Sequence, residues 1–365
     1  MAADGIALSQ RLDGTTERKL HAKVVDNILN GPTYMSRLMG RAQAMEGKTQ
    51  DFTLDIENST QFEWFTGLET LNSAAEDTTV TASFSHTAGT QPKVGVMLES
   101  FANAGALGTI PLDAFNYAKA AREALRNVAS AGYTVSAADR PNGLQSIVDD
   151  GTNDGTIGGL SRTTYSALNA TYTSSGGTMT LAKLATLDDA AAKGGEVGAV
   201  PNLNLTTFTV WSLYEELLDP QVRANYEASG FSRLPIRGDN AVSQAQLGGA
   251  AGLVATFHRG RPVVKDKFAT SGVWYKLNED SFGWYGRTQV PEEYRGMLTK
   301  VNLGTLEGYE SPTANEVPSE FNGWFYQKPQ VMPDQAGTIA RFYVIGQMCT
   351  WNPRMNGQLH SITGV

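Results

Sequence analysis

The chain has 365 residues, 41% of them apolar and 18% charged, a globular balance with enough length for roughly two or three units with sizeable cores. A net charge of −8 argues against a dedicated nucleic-acid reader, which carries a basic stripe, but not against a wall that merely encloses nucleic acid. The single cysteine, Cys349, leaves no intrachain disulfide, no run of about twenty apolar residues offers a membrane span, and "MAADGIALSQRLDG" lacks the basic and apolar regions of a signal peptide.

From Thr15 to Ala44 the sequence reads as a helical arm broken at Asn30 to Pro32 by "NGP". Between Thr16 and Lys48, Arg18, Lys19, Lys23, Arg37, Arg41 and Lys48 outnumber Glu17, Asp26 and Glu46. This basic stretch is either a solvated amphipathic face or a contact with an acidic neighbour or enclosed DNA. Residues 49–92 then contain no lysine or arginine, while Asp51, Asp55, Glu57, Glu63, Glu69, Glu76 and Asp77 are acidic. Phe52, Leu54 and Ile56 alternate with polar residues, as do Val80, Ala82 and Phe84, which is the period of a two-stranded ribbon. An isolated hairpin is marginal in water and leaves unpaired edges, so it needs a partner surface. Its tip, Gln61 to Leu71, offers Phe62, Trp64, Phe65 and Leu68 as anchors, unless these fold back on their own domain.

Between Thr109 and Gly132 the residues Leu112, Phe115, Ala118, Ala121, Leu125 and Val128 fall at steps of three and four, one stripe of a helix about 35 Å long. Thr109 is placed to cap it and Pro111 sits in its first turn. Asp113 lies toward its positive end, Arg122 and Arg126 toward its negative end, and Gly132 stops it. From Gly143 to Tyr172, "GLQSIVDDGTNDGTIGGLSRTTYSALNATY", glycine turns separate short runs rich in Ile, Val, Thr and Tyr. Beyond it the chain reads as strand, turn, short helix, strand and helix. Thr186, Asp189, Gly194 and Gly195 frame the short helix, and Phe208, Val210 and Leu213 lead into the helical Tyr214 to Leu218. The end of the chain alternates on both sides of "MPDQAG", predicting a hairpin.

No catalytic or cofactor-binding set emerges. His21, His86, His258 and His360 are scattered, so zinc and other metals are not expected. Cys349 lies in an apolar run and reads as a small buried hydrophobe. Asp149 to Gly155 departs from a calcium loop at Thr152 and Ser161 and reads as a solvated acidic turn. The acidic pairs at 188–189, 215–216 and 292–293 point about 100° apart on a helix and form no dyad by spacing.

Three passages come in a telling order: the long helix feeding "IGGLSR", then "FHRGRPVVKDKFATSGVWYKLNEDSFGWYG" from Phe257 to Gly286, then "IGQMCTWNPRMNGQLHSITGV" from Ile345 to the end. In them the chain resembles, over most of its length, the tailed-phage major capsid proteins of the Hong Kong 97 fold. The resemblance implies an α+β fold with an N-terminal arm (1–47), an extended β-hairpin loop (48–96), a peripheral domain (97–185) with a spine helix at 109–131, an inserted axial domain (186–317), and return strands of the peripheral domain (318–365). It also implies a non-enzymatic virion protein, made in the host cytoplasm, that self-assembles as pentamers and hexamers into an icosahedral shell. Such a shell encloses double-stranded DNA without reading its sequence, meets portal, scaffolding and decoration proteins, and needs no membrane or cofactor. The extended loop would lie across the adjacent subunit, with Phe62, Trp64, Phe65 and Leu68 as apolar contacts. Its acids, Glu57, Glu63 and Glu69 among them, would face cations drawn from Arg18, Arg41, Lys119, Arg122 and Arg126 of a neighbour. Some relatives join subunits through a lysine in this loop, and this loop has none. The alternatives are an encapsulin-like nanocompartment shell and, in a different class, a soluble α/β ligand-binding protein.

Overall fold

The computed structural model describes residues 24–25, 33–57, 61–71, 77–103, 112–192, 200–222, 256–294, 297–302, 309–310 and 320–365. Its axis is an antiparallel pair of long strands, Glu320–Val331 and Gly337–Thr350, joined through the expected "MPDQAG" turn and paired from Trp324↔Val344 to Val331↔Thr338, with the register shifting by one residue between Gln327 and Gln330. On the other edge of Gly337–Thr350 two strands lie end to end. Thr87–Val96 covers it from Gly346 to Gly337, and Phe282–Arg287 covers it from Thr350 to Gly346. Gly346 sits at the junction, where a Cβ would lie 2.8 Å from both Trp284 Cζ2 and the Tyr285 carbonyl oxygen, so the crossing leaves no room for a side chain. Leu298–Asn302 and Gln43–Met45 complete this long sheet.

The spine helix runs Leu112–Ala131 among the described residues; its expected cap, Thr109 and Pro111, lies outside them. At 20 residues it spans about 30 Å. Ala120, Ala121, Ala124, Leu125 and Ala129 are buried against Trp284, Trp324, Phe342, Val344 and Met348 of the long sheet. Small alanines let helix and sheet backbones approach while the sheet supplies the large side chains, as dense packing requires. At Gly132 a Cβ would lie 2.5 Å from Met35 Cε, so the residue that ends the helix also admits its neighbour.

That neighbour is the helix Thr33–Gly40, which begins directly after "NGP". Tyr34, Met35, Leu38 and Met39 are buried in the same core as the spine helix, so this part of the expected arm is core and not a free extension. Val24–Val25 is a strand paired with Tyr309–Glu310 where a helix was expected; most of the rest of the arm, Arg18 included, lies outside the described residues.

The second sheet has six short strands, in the order 256–258, 261–265, 203–206, 274–277, 357–359 and 171–173. Its central strands, Leu203–Thr206 and Trp274–Leu277, are buried at every position. Helices Leu181–Ala191 and Phe208–Val222 pack on it through Leu184, Leu187, Val210, Trp211 and Tyr214, against Val263, Trp274 and Leu359. The first of these starts earlier than expected. Thr180 is its N-cap, accepting from Lys183 N at 3.2 Å, while Thr186 lies inside and donates to the Ala182 carbonyl. The apolar run Leu181, Leu184, Leu187 and Ala191 sets its length.

Strand pairing crosses the divisions drawn from the sequence. Phe282–Arg287 and Leu298–Asn302, within 186–317, join the long sheet, and Gly357–Leu359, within 318–365, joins the second sheet. A short apolar strand shows that it is buried, but not which sheet edge takes its hydrogen bonds.

The glycine-rich passage is pinned by two buried side chains. Gly158 and Gly159, at φ of 56° and 78°, make the tight turn between Thr156–Ile157 and Leu160–Ser161, where positive φ favours glycine. The buried Arg162 guanidinium donates to the carbonyls of Asp149 and Leu168, each at 2.6 Å, and of Ser146. Asp149 corrects the expectation of a solvated acidic turn. It is fully buried and accepts the N–H groups of Gly151, Asn153 and Asp154 at 2.9–3.0 Å. Among the described residues no group of three His, Cys, Asp or Glu is arranged to hold a metal.

Gly143 carries the sharpest backbone constraint. A Cβ there would run into the Thr134 carbonyl oxygen and sit 2.8 Å from Thr134 N and 2.9 Å from the Ala131 carbonyl oxygen. Backbone cannot give way as a side-chain end can. Gly143→Ala is expected to lower unfolding free energy by about 3 kcal/mol or more, read from denaturant midpoints. Gly155→Ala, which meets open space, is expected to change it by less than about 0.5 kcal/mol.

Candidate functional site

The predicted ribbon is formed by Thr49–Asp55 and Thr79–Ser85, antiparallel from Thr49↔Ser85 to Asp55↔Thr79. Its base finds a partner surface within the chain. Ala82 and Phe84 are buried, Phe52 and Leu54 half-buried, against Met45, Ile157, Leu168, Tyr285, Cys349 and Trp351. Phe52 meets Tyr285 edge to face at 5.7 Å. Ser83 N donates to the Gly158 carbonyl at 2.9 Å, which ties the ribbon to the glycine-rich turn.

Beyond the base the cover stops. The tip residues Phe62, Trp64, Phe65 and Leu68 are 74%, 90%, 60% and 108% exposed, and Leu71 is exposed with them. They do not fold back on their own domain. Phe62 and Trp64 pack edge to face on each other at 5.2 Å. The turn that holds them is built locally: Thr66 donates through N and Oγ1 to the Glu69 carboxylate, and Gly67 takes a φ of 82°. Glu57, Glu63 and Glu69 are exposed around this apolar surface. Burying one such side chain is worth roughly 1.5–3 kcal/mol, so several kcal/mol of apolar contact stand unused in the single chain.

Of the cations expected to meet these acids, Arg18 lies outside the described residues, and Arg41, Lys119, Arg122 and Arg126 have partners within the chain; Arg37, not among those expected, shares the partner of Arg41. Arg37 and Arg41 both reach the buried Glu279, at 2.5 and 3.6 Å, and Arg41 also approaches Asp280. Burial raises the Glu279 carboxyl and the two guanidinium groups pull it back down. Lys119 pairs with Glu123 one helical turn on, at 3.9 Å, and Arg122 and Arg126 are half-buried and have partners of their own.

A buried charge cluster in the second sheet had no signal in the sequence beyond a lysine in the apolar strand "WYKL". Asp188 Oδ2 lies 2.6 Å from Lys276 Nζ and 3.3 Å from His258 Nε2, and Asp188 Oδ1 lies 2.7 Å from Arg261 Nη1. The members are far apart in sequence and meet only when helix Leu181–Ala191 packs on the sheet. Tyr214 closes the cluster, donating to the Phe257 carbonyl at 3.0 Å beside His258. Burial alone would raise the Asp188 carboxyl, but bonds from His258 and Lys276 hold it below the usual carboxylate range. Burial drives Lys276 down to about 8 from 10.5, against the pull of Asp188.

The sign of the resulting pH dependence follows. Between about pH 8 and 10.5 the unfolded chain binds more protons at this lysine than the folded chain, so its contribution to stability rises with pH across that window. The unfolding free energy of the wild type minus that of Lys276→Met is expected to increase from about pH 7.5 to about pH 10. A flat difference would mean that Lys276 keeps its ordinary proton affinity.

A spine helix on a long sheet, a two-stranded loop and a second mixed sheet make an α+β architecture of the Hong Kong 97-like fold. No protein-family model and no curated protein matches the chain. Among solved structures it is similar to the capsid asymmetric unit of cyanophage A-1(L), with a TM-score of 0.64 and 17% identity over 95% of this chain and 97% of that one. It is similar too to the capsid of myovirus XM1, at 0.52 and 12% over 100% of both chains, and to the holo-SrpI encapsulin complex of Synechococcus elongatus, at 0.52 and 9% over 99% and 96%. At these identities the likeness is one of fold.

Proposed function

We propose that this chain is the major capsid protein of a tailed bacteriophage, self-assembling through pentamers and hexamers into an icosahedral shell around double-stranded DNA. The observation that carries the reading is the loop: a base packed on its own core and an apolar, acidic-rimmed tip left uncovered, on a fold that solved shell proteins share. Its work is association, not catalysis. The DNA is enclosed without sequence-specific contact, in keeping with the net charge of −8. Portal, scaffolding and decoration proteins are the further partners, and the place of action is the virion after assembly in the host cytoplasm.

The test is negative-stain electron microscopy with light scattering on the protein expressed alone and, if it stays monomeric, together with its scaffolding partner. Closed shells, five- or six-membered rings or tubes support the reading; a monomer under both conditions overturns it. The likeness to an encapsulin favours one second reading, a nanocompartment shell. The contents separate the two: packaged genomic DNA for the first, a protein cargo for the second.

A further inference from the structure

Beneath the second half of the spine helix lies a cleft of about 190 Å³. Ala124 and Val128 form its helix wall, Val344, Gly346 and Trp284 of the long sheet its floor, and the strand Thr87–Val96 at Gly89 its far wall. Gly89 pairs with Val344, which packs on the spine helix, so both present the same face to that helix. A Cβ at Gly89 would meet only the Val344 carbonyl oxygen, at 4.0 Å, and its φ lies outside the positive region that favours glycine. Neither space nor backbone calls for glycine here, and the missing side chain is what keeps the cleft open.

The polar side chains around the cleft mostly bond one another or the backbone. Thr87 Oγ1 donates to the Gly346 carbonyl at 2.9 Å, Asn127 Nδ2 to Gln91 Oε1 at 3.2 Å, and Gln91 Nε2 to Glu123 at 3.3 Å. Trp284 differs. It is 2% exposed, and among the described residues its Nε1 has no hydrogen-bond partner. Its Cε2, to which Nε1 is bonded, would lie 2.9 Å from a Cβ on Gly346, which sets the N–H edge of the indole at the cleft floor. A buried donor left unpaired is unfavourable. At the mouth Arg140 approaches Asp139 at 3.6 Å, so the entrance offers no net charge.

We propose that this cleft binds a small neutral molecule with an apolar body and one hydrogen-bond acceptor, such as an aryl ketone. The acceptor takes the Trp284 Nε1 proton and the body lies between Val128 and Val344. Size fits, since an apolar cavity of about 150 Å³ accepts benzene. The unpaired donor selects for the acceptor, and the neutral mouth selects against an ion. An apolar group that displaces loosely held water gains affinity. Seated there, the ligand joins the spine helix to the strand Thr87–Val96, and because the cleft exists only in the folded chain, binding raises the unfolding midpoint.

The experiment titrates acetophenone into the full chain by calorimetry, beside α-methylstyrene, in which a methylene replaces the ketone oxygen, at concentrations where both dissolve. One-site binding with a Kd of about 1 mM or tighter is expected for the ketone, and affinity at least about threefold weaker for the hydrocarbon. In spectra of the six indole N–H groups, the ketone is expected to move downfield the one resonance that Trp284→Phe removes. Gly89→Leu fills the cleft and is expected to weaken ketone binding at least about tenfold with the unfolding midpoint kept or raised. Should that variant fold poorly, Val128→Phe fills the cleft from the helix side and is expected to weaken binding likewise. No saturable binding by about 10 mM ketone overturns the proposal. Wild-type affinity in a folded, cleft-filled variant overturns it too, by placing the ligand elsewhere, and equal affinity for ketone and hydrocarbon removes the part assigned to Trp284 and the acceptor with it.

Discussion

Asp188→Ala is expected to lower the stability of the folded chain by about 3–5 kcal/mol, the range for removing one member of a buried ion pair. The loss comes from what remains. Lys276 has no exposed surface, and with Arg261 and His258 it would face a site with no counter-charge. Unfolding of the unassembled chain, followed by circular dichroism in urea, reads the effect directly. The adjacent Asp189 is the control: it is exposed and pairs with Arg259 at 2.6 Å on the surface. Asp189→Ala should change stability by no more than about 1 kcal/mol. Equal effects at 188 and 189 would mean that the cluster does not hold helix Leu181–Ala191 on its sheet.

Trp64→Ala is expected to leave the monomer's stability unchanged, because the side chain is 90% exposed, and to abolish closed shells at concentrations where the wild type forms them. A buried aromatic anchor is worth roughly 2 kcal/mol or more at an interface. One contact weakened by about 30-fold is tolerable. A closed assembly repeats the contact at every subunit, and the penalties accumulate. Electron microscopy and sedimentation of purified Trp64→Ala, beside a matched Glu63→Gln, decide the matter. Undiminished shell yield for Trp64→Ala would sink the tip as an assembly contact, and a larger loss for Glu63→Gln would show that charge outweighs the anchor.

What the sequence made legible was whatever one stretch carries by itself. The alternation of Phe52, Leu54, Val80, Ala82 and Phe84 foretold the ribbon because a half-buried strand must alternate, and the three-and-four spacing of Ala121, Leu125 and Val128 foretold the spine helix. Both signals are local. The aromatic tip could be read for a similar reason, since four large apolar residues amid acids and without cations fit poorly in any core. What could not be read was set by distant partners. Gly346 is indispensable only because two strands meet end to end against it, and Lys276 is tolerable only because Asp188 arrives from 88 positions away. The same holds for Arg41, which was legible as basic, while its approach to Glu279, a residue far along the chain, was not.

The strand that leads out of the loop has a mechanical meaning. A pull on the loop that reaches the core through its second arm would act along Thr87–Val96, whose ten residues are all paired with Gly337–Gly346. Ladder hydrogen bonds in an antiparallel pair stand perpendicular to the strands. The load therefore arrives as shear shared across the whole ladder, and no single bond has to bear it first, whereas a pull at right angles would peel the pairs apart one after another. A pull along the strand therefore meets it in the direction in which it yields last.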